Sequence, residues 1–431
     1  MKKHIKLLVV LGIILVGSFS FYLFKGYKKD ALVYENNKIK PSSSGIAMML
    51  ETSAGSGNYE MTTRSEWPTE GYVFNANLSK CENGSELSWD NENKKVLMSG
   101  NISDKCYVYF DVEIPTIANT CTSGTNLASC IKTFGNKGSS VSNIYHHDGN
   151  LTNGAGDNSY RYAGASDAVN NYVCFGSNVT PCPDDNLYRI IGVFGDKVKL
   201  IKSDYATSAL LGTDGDYKDK YTYGNSTYKG NNYDNIVTYT WNYKNNTTIN
   251  SGYGSNTWST SLLNKTNLNK NFITNIGADW AAKIDTTTWK VGGNTWANIG
   301  TQPAKTAYQN EIVNPVTTNA TDNATTYSAK VGLMYASDYG FAAAPSAWTA
   351  NLNTYNGEAI KNVNWMYMGL YEWTISRNAD NAYNVFLVHD AGLLYTYYAD
   401  RAYGVRPVFY LSSSVNYVSG SGSATDPISI N

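Results

Sequence analysis

Gly404-Val405-Arg406-Pro407-Val408-Phe409-Tyr410-Leu411 is the stretch on which the fold turns. It is an apolar run with one cation near its start and a proline directly after that cation. A run of this length reads as a buried strand. Burying Arg406 is costly unless a counter-charge and hydrogen bonds go in with it. A natural partner stands upstream in Met368-Gly369-Leu370-Tyr371-Glu372-Trp373-Thr374, where Glu372 sits beside the apolar Trp373. We expect Glu372 and Arg406 to form a buried structural pair, with no catalytic role.

Working outward, Val331-Gly332-Leu333-Met334-Tyr335 reads as another buried strand, and Ala336-Ser337-Asp338-Tyr339-Gly340 opens a helix or turn. Tyr383-Asn384-Val385-Phe386-Leu387-Val388 alternates as a strand, and His389-Asp390 falls where a hairpin would turn. Leu187 to Phe194 and Val198 to Ile201 flank Gly195-Asp196, a short-loop hairpin signal. Asn171 to Phe175 is a further strand. Thr125 to Phe134 reads as a short helix with Thr125 as N-cap, because Leu127, Ile131 and Phe134 share one face. Residues 205–325 are polar and aromatic, with helical spacing at 261–268 and 271–284, and read as a long insertion with its own contacts. Helices and strands in this mixture point to an α+β fold.

These segments together resemble the C-type-lectin-like fold in its formylglycine-generating-enzyme (sulfatase-modifying factor) branch. That branch carries a Gly-Asn-Val-Trp-Glu-Trp-Thr motif and a later Gly-Phe-Arg strand. Gly369-Leu370-Tyr371-Glu372-Trp373-Thr374 and Gly404-Val405-Arg406 fall in the same order here. The chain is more similar still to bacterial surface domains of this fold that end in a Gly-Val-Arg-Pro strand. The resemblance covers roughly residues 155–425. It implies a C-type-lectin-like C-terminal domain and a Glu372–Arg406 pair across a hairpin. It also implies a ligand face just before the last strand, carried by Asn381, Tyr383, His389, Tyr395, Tyr397, Tyr398, Asp400 and Tyr403. Tyrosine supplies contact area with few rotamers, which suits such a face. The implied ligand is an extracellular protein or glycan. Some relatives diversify this segment from a mutable template, which enriches Asn, Tyr, Asp, Ser and His. An AT-rich genome enriches Asn and Tyr throughout, and residues 221–260 show such enrichment.

Catalysis finds little support. Formylglycine generation uses a cysteine pair near the C-terminus, whereas all six cysteines here lie at or before Cys182. Neighbouring cysteines close the shortest loops, so we expect the disulfides Cys81–Cys106, Cys121–Cys130 and Cys174–Cys182. The close Cys-Cys pairs of a zinc site are absent. His146-His147-Asp148 reads as an exposed loop, and Asp214 to Asp219 departs from the EF-hand pattern, so no metal or cofactor is expected. The calcium-dependent sugar signatures Glu-Pro-Asn and Trp-Asn-Asp are missing. Two rival readings remain: a structural cell-envelope or pilus-associated protein, and a degenerate enzyme of the formylglycine-generating fold.

The chain has 431 residues, of which 16% are charged, and 35 Tyr and 10 Trp fill the place of the missing charge. So many aromatics argue against disorder. Six lysines precede Asp30, the first acid, and the remainder is mildly acidic, which leaves no electrostatic footprint for nucleic acid. Residues 5–24, from Ile5 to Phe24, are apolar apart from Lys6 at the edge. As a helix this run spans the roughly 30 Å hydrocarbon core, and it lacks the small residues of a cleavage site. The expected organisation is a membrane anchor at 1–29, a flexible tether at 30–57, a small β module at 58–114 and the lectin-like domain at 115–431. The protein is then single-pass, with its body outside the cell. Mass spectrometry of the membrane fraction should recover the peptide containing Ile5 to Phe24; finding only a soluble chain that starts beyond it would refute the anchor.

Overall fold

The computed structural model describes residues 37–41, 43, 45–221, 236–243, 252–319 and 324–431. The anchor expected at 5–24 lies outside them. No helix among the described residues is long and apolar enough to cross a membrane. The fold is α+β, and the chain divides into two compact units, one ending at Ile114 and the other starting at Pro115.

In the first unit Cys106–Val112 is the strand around which the others assemble. Its inward side chains Cys106, Val108 and Phe110 are buried, and alternate residues face out. Tyr72–Phe74 and Lys80–Cys81 pair with it antiparallel, and Ile46–Glu51 lies beside it in parallel, with Met48 opposite Val108. A second sheet joins Glu86–Asp90 to Lys95–Ser99 and Asn37–Lys38. Met48, Leu50, Trp67, Val96, Met98, Val108 and Phe110 share one core. The stretch read as a tether at 30–57 therefore contains two strands. Its Ser/Gly clusters masked the apolar Ile46-Ala47-Met48-Met49-Leu50 between them. Cys81 and Cys106 stand opposite each other and are disulfide-bonded, as their spacing predicts.

The second unit is built on a seven-stranded antiparallel sheet. Its strand order is Val331–Gly332, Val408–Tyr410, Lys197–Lys202, Leu187–Phe194, Ser159–Tyr162, Ile144–His147, with Tyr172–Cys174 also on Leu187–Phe194. The hairpin predicted at Gly195-Asp196 is present, with Gly195 at φ +63° as its turn demands. Leu127–Gly135 is the expected amphipathic helix, and Leu127, Ile131 and Phe134 are buried. Its N-cap is Asn126, one residue later than Thr125, because the Asn126 side chain accepts from the Ser129 N–H. The disulfides Cys121–Cys130 and Cys174–Cys182 close as predicted.

Residues 205–325 are not an insertion with separate contacts. Trp241, Trp258 and Trp289 are fully buried in the same core as the flanking strands. The Trp241 indole N–H donates to the Thr374 carbonyl at 2.9 Å, and the Trp373 indole N–H donates to the Tyr239 carbonyl at 2.9 Å. Large rings whose N–H needs a buried acceptor cannot be satisfied within a short polar segment.

The decisive stretch is a strand only over Val408–Tyr410, which lies in the seven-stranded sheet; just before it Ala402–Tyr403 pairs with Val237–Thr240. Between them Gly404 bridges to Glu372, and a Cβ at Gly404 would stand 2.5 Å from the Tyr205 ring. Pro407 has no N–H to give a ladder, which agrees with the break there. Arg406 Nε donates to Glu372 Oε1 at 2.7 Å, and Arg406 Nη2 donates to the Met366 carbonyl at 2.8 Å. Both side chains are buried. The pair does not cross a hairpin: Glu372 starts the strand Glu372–Arg377, whose hairpin partner is Asn384–Val388, and Arg406 arrives from the later crossover. Removing one partner strands a buried charge, so Arg406→Met should cost about 3–5 kcal/mol in denaturant unfolding and Glu372→Gln somewhat less; wild-type midpoints for both would show the pair to be inert.

Candidate ligand-binding face

The expected ligand residues fall on one three-stranded sheet and the loop that leaves it. The sheet order is Glu372–Arg377, Asn384–Val388, Leu394–Tyr398. Alternation along the last strand buries Leu394 and leaves Tyr395 42% exposed. Tyr397 and Tyr398 are half-buried, as are Asn381, Tyr383, His389 and Asp400. Tyr403 departs from the expectation. It is 1% exposed, packed against Trp373 at 4.8 Å and stacked with Tyr371 at 5.0 Å. Pairing of Ala402–Tyr403 with Val237–Thr240 turns its ring into the core, so it cannot touch a ligand.

The exposed centre of the face is a cluster of tyrosines. Tyr253 stacks on Tyr398 at 4.2 Å, and Tyr383 lies 5.4 Å from Tyr253 and 5.6 Å from Tyr398. Tyr397 continues it at 5.5 Å from Tyr398. These rings come from separate segments that the backbone ties together. The Asp400 N–H donates to the Tyr253 carbonyl, and the Ala399 N–H donates to the Tyr383 carbonyl. Asn381 shapes its own turn, its side-chain oxygen accepting from the Tyr383 and Asn384 N–H groups. Asn381 therefore braces the site from within.

Beside the tyrosines lies an open cleft of about 680 Å³, lined among others by Lys218, Lys220, Thr238, Asp400 and Arg401. Asp400 sits at its wall with Oδ1 buried and without a hydrogen-bond partner among the described residues, and burial raises its carboxyl above the usual range. Tyr253 and Lys218 were not predicted, whereas Arg401 directly follows the expected Asp400. The Tyr-rich composition of residues 221–260 was the signal for Tyr253, but nothing local says that it folds back onto the sheet.

His389 and Asp390 occupy the hairpin turn, where the His389 N–H donates to the Leu393 carbonyl. His389 Nε2 is 2.7 Å from the Tyr371 hydroxyl, and Nδ1 is 2.5 Å from Asp390 Oδ1. A hydroxyl, an imidazole and a carboxylate thus stand in line. Burial, and then the Asp390 charge, push the Tyr371 hydroxyl up to about 12, and burial lowers the His389 pKa. A phenol so hard to ionise is a poor nucleophile at neutral pH, and the arrangement serves better as a hydrogen-bonding surface than as a triad.

The other flagged residues are structural. His146-His147 lies on the strand Ile144–His147 rather than in an exposed loop. His147 is buried edge-on to Phe341 and accepts from the Ala155 N–H at Nδ1, while His146 stacks on Tyr160. Burial, reinforced by Arg161, holds His147 down to about 2. The carboxylate of Asp216 accepts the N–H groups of Tyr243, Leu262 and Leu263. Among the described residues no cluster of three potential ligands could hold a metal ion.

Comparison with known proteins finds no matching family model, no similar curated protein and no similar solved structure. Burial separates the tyrosines by role. Tyr403→Ser should lower unfolding stability by about 3–5 kcal/mol, as truncation of a buried aromatic does, whereas Tyr395→Ser should stay within about 0.5 kcal/mol of wild type in a urea titration.

Proposed function

We propose that this chain is a membrane-anchored bacterial surface protein whose C-terminal unit, a C-type-lectin-like domain, captures an extracellular protein or glycan without catalysis. One observation carries the reading. Tyr253, Tyr383, Tyr397 and Tyr398 converge from separate segments into one partly exposed aromatic patch beside an open charged cleft. Tyrosine patches rimmed by polar groups form contact surfaces because each ring presents an apolar body and a hydrogen-bonding tip. The mounting is rigid, since a buried hairpin backs the patch, so little ordering entropy opposes binding. Three disulfides accord with a body that folds outside the reducing cytosol.

The cleft mixes Lys218, Lys220 and Arg401 with Asp219 and Asp400, so the ligand it suits is polar and mixed in charge. The test uses the full chain in detergent on glycan and extracellular-protein arrays, beside the double variant Tyr253→Ser/Tyr395→Ser. Those two tyrosines are the exposed ones, at 42% each, so the variant should melt with wild type. Captured ligands should drop at least tenfold in affinity, the loss of about 1.4 kcal/mol of contact. Undiminished capture by the variant would move the site elsewhere.

A further inference from the structure

Lys197-Val198-Lys199-Leu200-Ile201-Lys202 is a strand whose Lys199 would normally seek solvent, yet Lys199 is 1% exposed in the middle of the seven-stranded sheet. Its ammonium is ringed by Tyr335 at 4.5 Å, Phe194 at 5.3 Å, Tyr410 at 5.4 Å and Trp289 at 5.8 Å. Nζ stands 2.5 Å from Asp338 Oδ2, and Asp338 is itself 3% exposed on the helix Ala336–Ala342. The Tyr335 N–H also donates to that oxygen, at 3.0 Å. Arg161 Nη1 faces the other oxygen at 3.4 Å, while its stronger contact, at 2.6 Å, goes to Asp157.

A third acid completes the group. Glu311 is fully buried, and its two oxygens accept the N–H groups of Ala336 and Ser337 at 3.0 Å each, on the helical turn that carries Asp338. The Ser376 hydroxyl donates to it as well. Glu311 is electrostatically coupled to Lys199 and to Asp338. Burial pushes its carboxyl up to about 7. Burial also lowers the Lys199 pKa, against the pull of Asp338.

We propose that Lys199 and Asp338 are joined by an intramolecular isopeptide bond that the folded chain forms by itself, with Glu311 as the proton carrier. The reaction begins with transfer of one ammonium proton to the carboxylate across their 2.5 Å contact, which leaves an amine and a carboxylic acid side by side. The Lys199 nitrogen attacks Asp338 Cγ and a C–N bond forms. Arg161 Nη1 is placed to stabilise the oxyanion on Oδ1. Glu311 takes the extra proton from nitrogen and delivers it to the departing oxygen. The C–O bond breaks, one water leaves, and Glu311 returns to its starting state. The balance is one amine plus one carboxylic acid going to one amide plus one water, with no change in oxidation state. The sheet and the helix hold the two reacting groups in contact before reaction, which supplies the proximity that an amine and a carboxylic acid lack in solution.

The bond is read by mass. Full-length chain, reduced and with all six cysteines alkylated, should weigh about 18 Da less than the sequence mass calculated with those six alkyl groups, the mass of one water. Trypsin should then fail to cut after Lys199 and should release a branched peptide containing both Lys199 and Asp338. Lys199→Arg and Glu311→Gln should restore the full mass, the second while both reacting side chains are still present. Wild-type chain at full mass with cleavage after Lys199 overturns the proposal, and so does a water loss that persists in Lys199→Arg. If neither variant accumulates, the wild-type mass and the branched peptide decide alone.

Discussion

The buried contact between Arg406 and Glu372 holds the second unit where the chain crosses from one sheet to another. The chain there leaves the short strand Ala402–Tyr403, passes Gly404 and Pro407, and enters the large sheet at Val408. That path has almost no ladder of its own. A charge-assisted hydrogen bond at 2.7 Å, backed by the Met366 carbonyl, replaces it. Because Glu372 opens the strand that pairs with Asn384–Val388, the same contact sets the tyrosine-bearing hairpin against the main sheet. Trp373, next to Glu372, carries the linkage on to Tyr239 and Tyr403.

A chain so poor in charge and so rich in asparagine still satisfies its buried backbone, and it does so with amides. The Asn256 side chain donates to the carbonyls of Asn378, Asn381 and Asn384, which pins the turn before the strand Asn384–Val388. The Asn267 side chain donates to the carbonyls of Leu211 and Asp214 and accepts the Asp216 N–H. Asn171 likewise joins Arg189 to the Ile190 carbonyl. A planar amide offers donors and acceptors without the desolvation cost of an ion, so it can serve where Asp or Lys cannot. Composition that looks like loop is in part internal bracing.

What could be read in the sequence was what short-range chemistry dictates. The three disulfides follow from spacing, the turn at Gly195 from its residues, and the partner of Arg406 from the cost of burying it. Long-range placement was not legible. Ile46–Glu51 was hidden by the flexible residues around it, and its partner Cys106–Val112 lies far along the chain. Tyr403 and Tyr395 look alike in sequence, but only tertiary pairing turns one inward. Lys199 is a residue type that normally seeks solvent; it contacts Asp338 on a distant helix, and no local pattern announces that its strand will be buried. Of the candidate face, the segment up to Asp400 and Arg401 could be named in advance, whereas Tyr253 and Lys218 reach it through folding alone.

The parallel pairing in the first unit has a mechanical meaning. The chain enters that sheet at the start of Ile46–Glu51 and leaves it at the end of Cys106–Val112, and the two strands lie side by side in the same direction. Entry and exit are therefore at opposite ends of one ladder. Tension applied through the chain on either side would load the register from Ile46↔Cys106 to Leu50↔Phe110 in shear, along the strands. Bonds strained together in shear share the load, whereas an antiparallel hairpin pulled at its open end parts one rung at a time. Under such a load the resistance of this ladder would be set by how fast it unfolds rather than by its equilibrium stability.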